Sequence, residues 1–82
     1  MENNNSMRKL VVQIKGMECE GCVINVTNRL KKIKGILNIN INLNEGLAYL
    51  DVNDKSDLSK IEKEIREKIN SAGYLVGEIR EL

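Results

Sequence analysis

Two thiols three residues apart, Cys19 and Cys22 in the stretch GMECEGC, are the side chains best placed to do chemistry, because the sequence has no other cysteine, no histidine and no proline. Such a pair can close a disulfide, help hold a structural zinc, run thiol–disulfide exchange or carry a metal that is later released. A disulfide across two intervening residues closes too small a loop to stabilise much, and in a reducing compartment paired cysteines more often bind metal or react. A structural zinc site is closed by four protein ligands, so two sulfurs without an imidazole would need carboxylates or a second subunit. Redox enzymes also carry C-x-x-C after a strand, yet thioredoxin-like and glutaredoxin-like folds set a cis-proline against the sulfurs and no proline is present. A two-thiolate clamp for a mobile soft metal is the reading these residue types serve best, with a small thiol–disulfide redox protein as an alternative.

The clamp must be positioned by the elements around it. Leu10, Val12 and Ile14 alternate with Val11, Gln13 and Lys15, which predicts a half-buried strand from about Arg8 to Lys15. From Cys22 the period changes: Val23, Val26, Leu30 and Ile33 recur at helical spacing, and Gly35 is a natural stop. The run ILNININL alternates through Ile39, Ile41 and Leu43, NEG turns, and Ala48, Leu50 and Val52 resume the alternation, as in a hairpin. A second helix opens on Ser56 and Asp57, carries Leu58, Ile61, Ile65, Ile69 and Ala72 on one stripe, and closes at Gly73. The tail YLVGEIREL returns as a strand, with Gly77 interrupting its alternation. The order βαββαβ predicts an α+β, ferredoxin-like fold, a four-stranded antiparallel sheet with two helices on one face. Residues 8–82 form this one domain, and Met1 to Met7 read as a polar, disordered leader.

This order sets Cys22 in the first turn of the first helix and Cys19 just ahead of it. Unpaired backbone N–H groups and the positive end of the helix dipole favour anions there, so both thiols should ionise more readily than a free cysteine. Gly16 and Gly21 would let the loop turn and approach an ion, and Met17 is expected to plug the core beneath the loop rather than ligate.

Composition narrows the partners. At 82 residues, 41% hydrophobic and 30% charged, with thirteen basic against twelve acidic residues and a net charge of +1, the chain has no global field to draw it to nucleic acid. Base stacking on a sheet of this kind needs strand aromatics, and the chain has no Phe or Trp, only Tyr49 and Tyr74. No apolar stretch approaches the ~20 residues of a membrane span, and MENNNSMRKL lacks the apolar run of a secretion signal. These features point to the cytoplasm, with no membrane insertion. Arg29, Lys31, Lys32 and Lys34 form a basic cluster on the first helix that could steer an acidic partner or simply be a solvated face.

GMECEGC, followed by VINVTNRLKKIKGI and later by INSAGY, resembles the heavy-metal-associated domain family, whose pattern is G-M-x-C-x-x-C, a helix ending in K-G-[VI], and G-Y before the last strand. The resemblance implies a metal-binding module rather than an enzyme: a copper(I) chaperone, or the equivalent domain of a metal-transporting P-type ATPase. It implies that Cys19 and Cys22 are the metal ligands, that Tyr74 stands beside the site, and that the partner is such an ATPase or another metal acceptor. The cargo expected is copper(I), with zinc, cadmium or another soft divalent metal as the alternative. Two departures bear on that choice. Glu20 and Gly21 stand inside the C-x-x-C where bacterial copper chaperones often have a histidine, and Glu18 precedes Cys19 where Thr or Ser is common. Glu18 is either a solvated carboxylate or an extra oxygen ligand for a harder ion. The chain is expected to be a monomer without metal, and an exposed two-sulfur site could share an ion with a second copy.

Overall fold

The computed structural model describes residues 7–82. Six elements follow one another as β1 (Met7–Lys15), α1 (Glu20–Leu30), β2 (Ile36–Asn42), β3 (Leu47–Asn53), α2 (Leu58–Ser71) and β4 (Leu75–Glu81). The expected leader lies outside the described residues except for Met7, which opens β1. The sheet order is β2-β3-β1-β4, with every neighbouring pair antiparallel. This is the ferredoxin-like arrangement that alternating periods of two and 3.6 residues predict.

The pleat decides which face is covered. On the central strands Leu10 stands opposite Leu50 and Val12 opposite Ala48, and these inward residues, with Ile14 and Val52, are buried. Val26 and Leu30 from α1 and Ile61, Ile65 and Ile69 from α2 close over them in one core. Each such aliphatic side chain removed from water contributes roughly 1.5–3 kcal/mol before conformational entropy is set against it. Val11, Gln13 and Tyr49 point to the other face and remain partly or largely exposed.

Two local details differ from the periodic expectation. The first helix does not run to Gly35; it ends at Leu30 with Lys31 as its C-cap, and the chain leaves through a short turn. Ile33 keeps the helical spacing of the stripe and is buried, so its burial reflects the turn folding back on the core rather than a continued helix. Gly35 has φ +100°, a conformation open to glycine and costly for side chains, and its carbonyl accepts from the Asn53 N–H at 2.8 Å as β2 begins. In β4 the pairing with β1 shifts register between Val12 and Ile14. Gln13 explains the irregularity at Gly77: its side chain lies where a Cβ on residue 77 would be, and its carbonyl oxygen accepts from the Glu78 N–H at 3.3 Å. The second helix starts and stops as expected, with Asp57 as N-cap and Gly73 beyond the Ala72 C-cap.

Candidate metal centre

The loop between β1 and α1 brings the two thiols together. Gly16 turns the chain out of β1 at φ +98°, Met17 packs against the core, and Glu18 is exposed. Met17 therefore sits as the plug expected of it. Cys19 is the N-cap of α1, extended at φ −154° and ψ 167°, but its side chain makes no capping bond to the helix. Its carbonyl accepts from the N–H groups of Cys22 at 3.1 Å and Val23 at 3.3 Å, which fixes the first turn while leaving the sulfur outside it. Gly21 is the second residue of α1 and does not turn the loop. A Cβ there would stand 3.7 Å from the Cys19 sulfur, so glycine leaves that side of the thiol open.

The Cys19 and Cys22 sulfurs are 3.2 Å apart, both free thiols, the first exposed and the second half-buried. At metal–sulfur bonds of about 2.3 Å, a shared ion would need them to separate by roughly 0.5–1.4 Å, from tetrahedral to linear coordination. The sulfurs thus have to open slightly around an ion rather than close on it.

Cys22 ionises more readily than an ordinary thiol, its pKa lowered to about 7. The Tyr74 hydroxyl beside its sulfur is the largest cause, followed by the backbone N–H of Glu18 and the Cys19 thiol, with partial burial working the other way. Helix-start backbone donors act here, as the sequence suggests, but a side chain from the far end of the chain outweighs them. Tyr74 reaches the site because α2 ends at Gly73 and the Tyr74 N–H closes back on the Ile69 carbonyl at 3.2 Å. Its ring packs on the core and lies beside Gly16, where Cδ1 would be 3.5 Å from any Cβ. The Tyr74 pKa is raised chiefly because its hydroxyl donates to Cys22, while a hydrogen bond from the Asn25 side chain opposes the rise. Asn25 is the member of this group that sequence reasoning missed. Its one signal is position, three residues beyond Cys22 and so on the same side of the helix.

Other candidates are not gathered in. Among the described residues no three His, Cys, Asp or Glu side chains converge to hold an ion, so Glu18 and Glu20 do not complete a three-ligand set with the sulfurs. The basic cluster expected on the first helix lies only partly on it, because α1 ends at Leu30 and Lys32 and Lys34 fall in the turn that follows. Arg29 is in its last turn, where its guanidinium donates to the Ser71 hydroxyl at 3.3 Å, and Lys31 is the C-cap. Lys31 is nine residues beyond Cys22, about 14 Å along a helix. No helix among the described residues is long and apolar enough to cross a membrane.

Comparison with known proteins agrees with this geometry. Residues 11–74 match the sequence profile of the heavy-metal-associated domain. The copper chaperone CopZ of Staphylococcus epidermidis is 32% identical over 69 residues, which span 83% of this chain and 96% of that protein. Copper-transporting ATPase 2 of Mus musculus is 45% identical over 38 residues, 46% of this chain but 3% of that much longer protein. Among solved structures, the N-terminal domain of a potential copper-translocating P-type ATPase from Bacillus subtilis, in a Cu(I)-loaded state, superposes with a TM-score of 0.71 at 27% identity, covering 85% of this chain and 84% of that one.

Proposed function

This chain belongs to the heavy-metal-associated domain family, and from that premise we propose that it binds one copper(I) ion through Cys19 and Cys22 and hands it on by thiolate exchange as a cytoplasmic copper(I) chaperone. The observation that carries the reading is the pair of sulfurs 3.2 Å apart at the start of α1, with no carboxylate converging on them among the described residues. Soft thiolates favour a soft ion, and two of them leave copper(I) coordinatively open. An acceptor thiolate can then enter, form a three-sulfur intermediate and leave with the ion. The role is binding and delivery rather than catalysis. The similarity to a copper chaperone over 96% of that protein's length supports the choice of metal and role, and the acceptor that fits is the metal-binding domain of a metal-transporting P-type ATPase or another two-thiolate protein. The metal-free chain is a monomer on this reading, and an ion shared between two copies is the simplest route to a dimer.

A second reading, that the chain is itself a metal-binding domain of such an ATPase, is favoured by its similarity to segments of two P-type ATPases. The same site serves both readings, since a chaperone delivers and a pump domain receives. A zinc- or cadmium-handling site would draw its third ligand from Glu18, which would have to move in toward the sulfurs.

Anaerobic titration against a copper(I) chelator tests the proposal. The native chain is expected to take about one copper(I), and the Cys19→Ser/Cys22→Ser variant to lose more than about a hundredfold in affinity, ~2.8 kcal/mol. Equal affinity in the two proteins would sink it. The Glu18→Thr variant, assayed in parallel with zinc, separates the metals: a selective tenfold loss of zinc binding, ~1.4 kcal/mol, would make Glu18 a ligand.

A further inference from the structure

The sheet has two free edges, and they are guarded unequally. At one edge β4 carries Glu78, Arg80 and Glu81 and shifts register against β1, and charges and irregular pairing of this kind discourage another strand from joining. At the other edge β2 reads ILNININ, with no charge, glycine or proline in the strand. Its pairing with β3 is regular from Asn38 to Asn42, after a shift between Ile36 and Asn38. Over that stretch the backbone N–H and C=O groups on the side away from β3 have no strand partner among the described residues. Ile39 and Ile41 pack on the core yet stay half-buried, whereas Leu50 and Ala48 opposite them on β3 are buried.

The first helix forms a wall beside this edge. Glu20, Ile24, Thr27 and Lys31 recur at the spacing of one helix face, and two grooves run between that face and β2. One, of about 630 Å³, lies between Val23 and Ile24 and the Ile41 end of the strand and is also lined by Glu20. The other, of about 250 Å³, lies between Thr27 and Lys31 and the Ile36 end. Ile24 is 61% exposed in this seam. An acid therefore marks one end of the seam and a base the other.

We infer that the β2 edge and the α1 face beside it form a docking surface for a second copy of this chain, which joins the two sheets edge to edge. A two-fold contact needs a surface that matches itself, and strand and charges both do so here. When β2 lies antiparallel to a second β2 with Asn40 opposite Asn40, Ile39 stands opposite Ile41 and Asn38 opposite Asn42. Apolar residues then meet apolar ones on one face of the sheet and amides meet amides on the other. Because the start of α1 stands over the end of β2, the same axis brings Glu20 of each copy toward Lys31 of the other. The backbone pairing is strand addition to a free edge. Neither Cys19 nor Cys22 lines either groove, so each copy keeps its thiols. The contact uses no metal and goes beyond the proposed function; the monomer of that reading is the dilute form of the chain.

Sedimentation equilibrium of the reduced, metal-free chain with a chelator present tests the contact, since neither a shared ion nor a disulfide can then join two copies. The mass is expected to rise from monomer toward dimer with a Kd on the order of 0.1 mM, the weak range of a small transient contact. Asn40→Lys sets two ammonium groups opposite each other at the axis and is expected to raise that Kd about tenfold or more, with copper(I) affinity unaltered. Glu20→Lys and Lys31→Glu are each expected to weaken the dimer about threefold, the range of exposed ion pairs, and the Glu20→Lys/Lys31→Glu exchange to restore it. Backbone amide signals that move with concentration are expected along Asn38–Asn42 and on the α1 face from Glu20 to Lys31. A monomer mass up to about 1 mM would overturn the inference and leave the edge to a strand of another protein. A dimer that Asn40→Lys leaves intact, an exchange that restores nothing, or shifts centred on β4 would overturn it as well. Failure to bind copper(I) would count against the proposed function and leave these masses as they are, so the two proposals fail separately.

Discussion

The two helices of this molecule begin in opposite ways. At the start of α2 the Asp57 carboxylate accepts from the N–H groups of Ser59 at 3.0 Å and Lys60 at 3.4 Å, so the helix satisfies its own first turn. At the start of α1 the N-cap is Cys19, whose side chain caps nothing, and the Cys22 sulfur draws instead on the Glu18 backbone and on Tyr74. A side-chain cap of the first kind contributes about 1 kcal/mol to stability. The α1 start forgoes that contribution and keeps two sulfurs, one exposed and one half-buried. The same backbone feature, a positive helix end, is closed off by a side chain in one helix and left without a side-chain cap in the other, beside two free thiols.

The largest effect should come from making the first helix resemble the second. Cys19→Asp supplies a capping carboxylate, and it is expected to cut copper(I) affinity by more than about a hundredfold, ~2.8 kcal/mol, while raising the melting temperature by several degrees, since ~1 kcal/mol shifts a domain of this size by roughly 4–8 °C. Competition titration and thermal unfolding followed by circular dichroism read the two arms; retained copper binding would break the comparison. The reverse change, Asp57→Ala, should cost about 1 kcal/mol of stability with copper affinity unaltered. A loss of metal binding there would mean that the two helix starts are coupled.

A smaller effect is expected at Tyr74. Alkylation of metal-free Cys22 in a Cys19→Ser background should rise with pH as the thiolate forms, with a midpoint below that of an ordinary thiol but above the value of about 7 that the Cys19 thiol helps to set. The sign follows from the charge. Loss of the Tyr74 hydroxyl removes the largest stabiliser of the thiolate, so Tyr74→Phe should move the midpoint upward and slow alkylation at neutral pH. Metal binding should show the same dependence, weakening as pH falls through this midpoint because protons then compete for sulfur. An unchanged midpoint would remove Tyr74 from the site. The smallest effect belongs to the basic residues at the far end of α1: reversing Lys31 and Lys32 to Glu should leave the rate of copper transfer to an acceptor domain within about twofold at low salt, where surface charges act most strongly. A larger change would bring that end of the helix into the encounter.

The legibility of these features follows from the range of the interactions behind them. Alternation in Leu10, Val12 and Ile14 and the stripe Ile61, Ile65 and Ile69 is local, and the structure buries those residues as their spacing predicts. The end of α1 was harder to read, because Ile33 continues the spacing of Val26 and Leu30 although the helix has already ended at Leu30. Within the site, the closeness of Cys19 and Cys22 follows from three-residue spacing at a helix start. The contacts among Cys22, Asn25 and Tyr74 do not, since Tyr74 is brought in by the packing of α2 and β4 and no local pattern links it to α1. Position in the sequence already puts the basic residues toward the end of the first helix; because the helix stops at Leu30, only Arg29 lies within it and the three lysines stand at or beyond its C-cap. Glu18 was equally undecided from sequence, where adjacency to Cys19 says nothing about the direction of its side chain.

The central claim is that the uncapped start of α1 holds copper(I) by two sulfurs alone. X-ray absorption at the copper edge of the anaerobically loaded chain tests it most directly. A first shell of two sulfur neighbours in a one-to-one complex is expected; an oxygen or nitrogen neighbour in that shell, or the same spectrum from the Cys19→Ser/Cys22→Ser variant, would rule out binding by the two sulfurs alone.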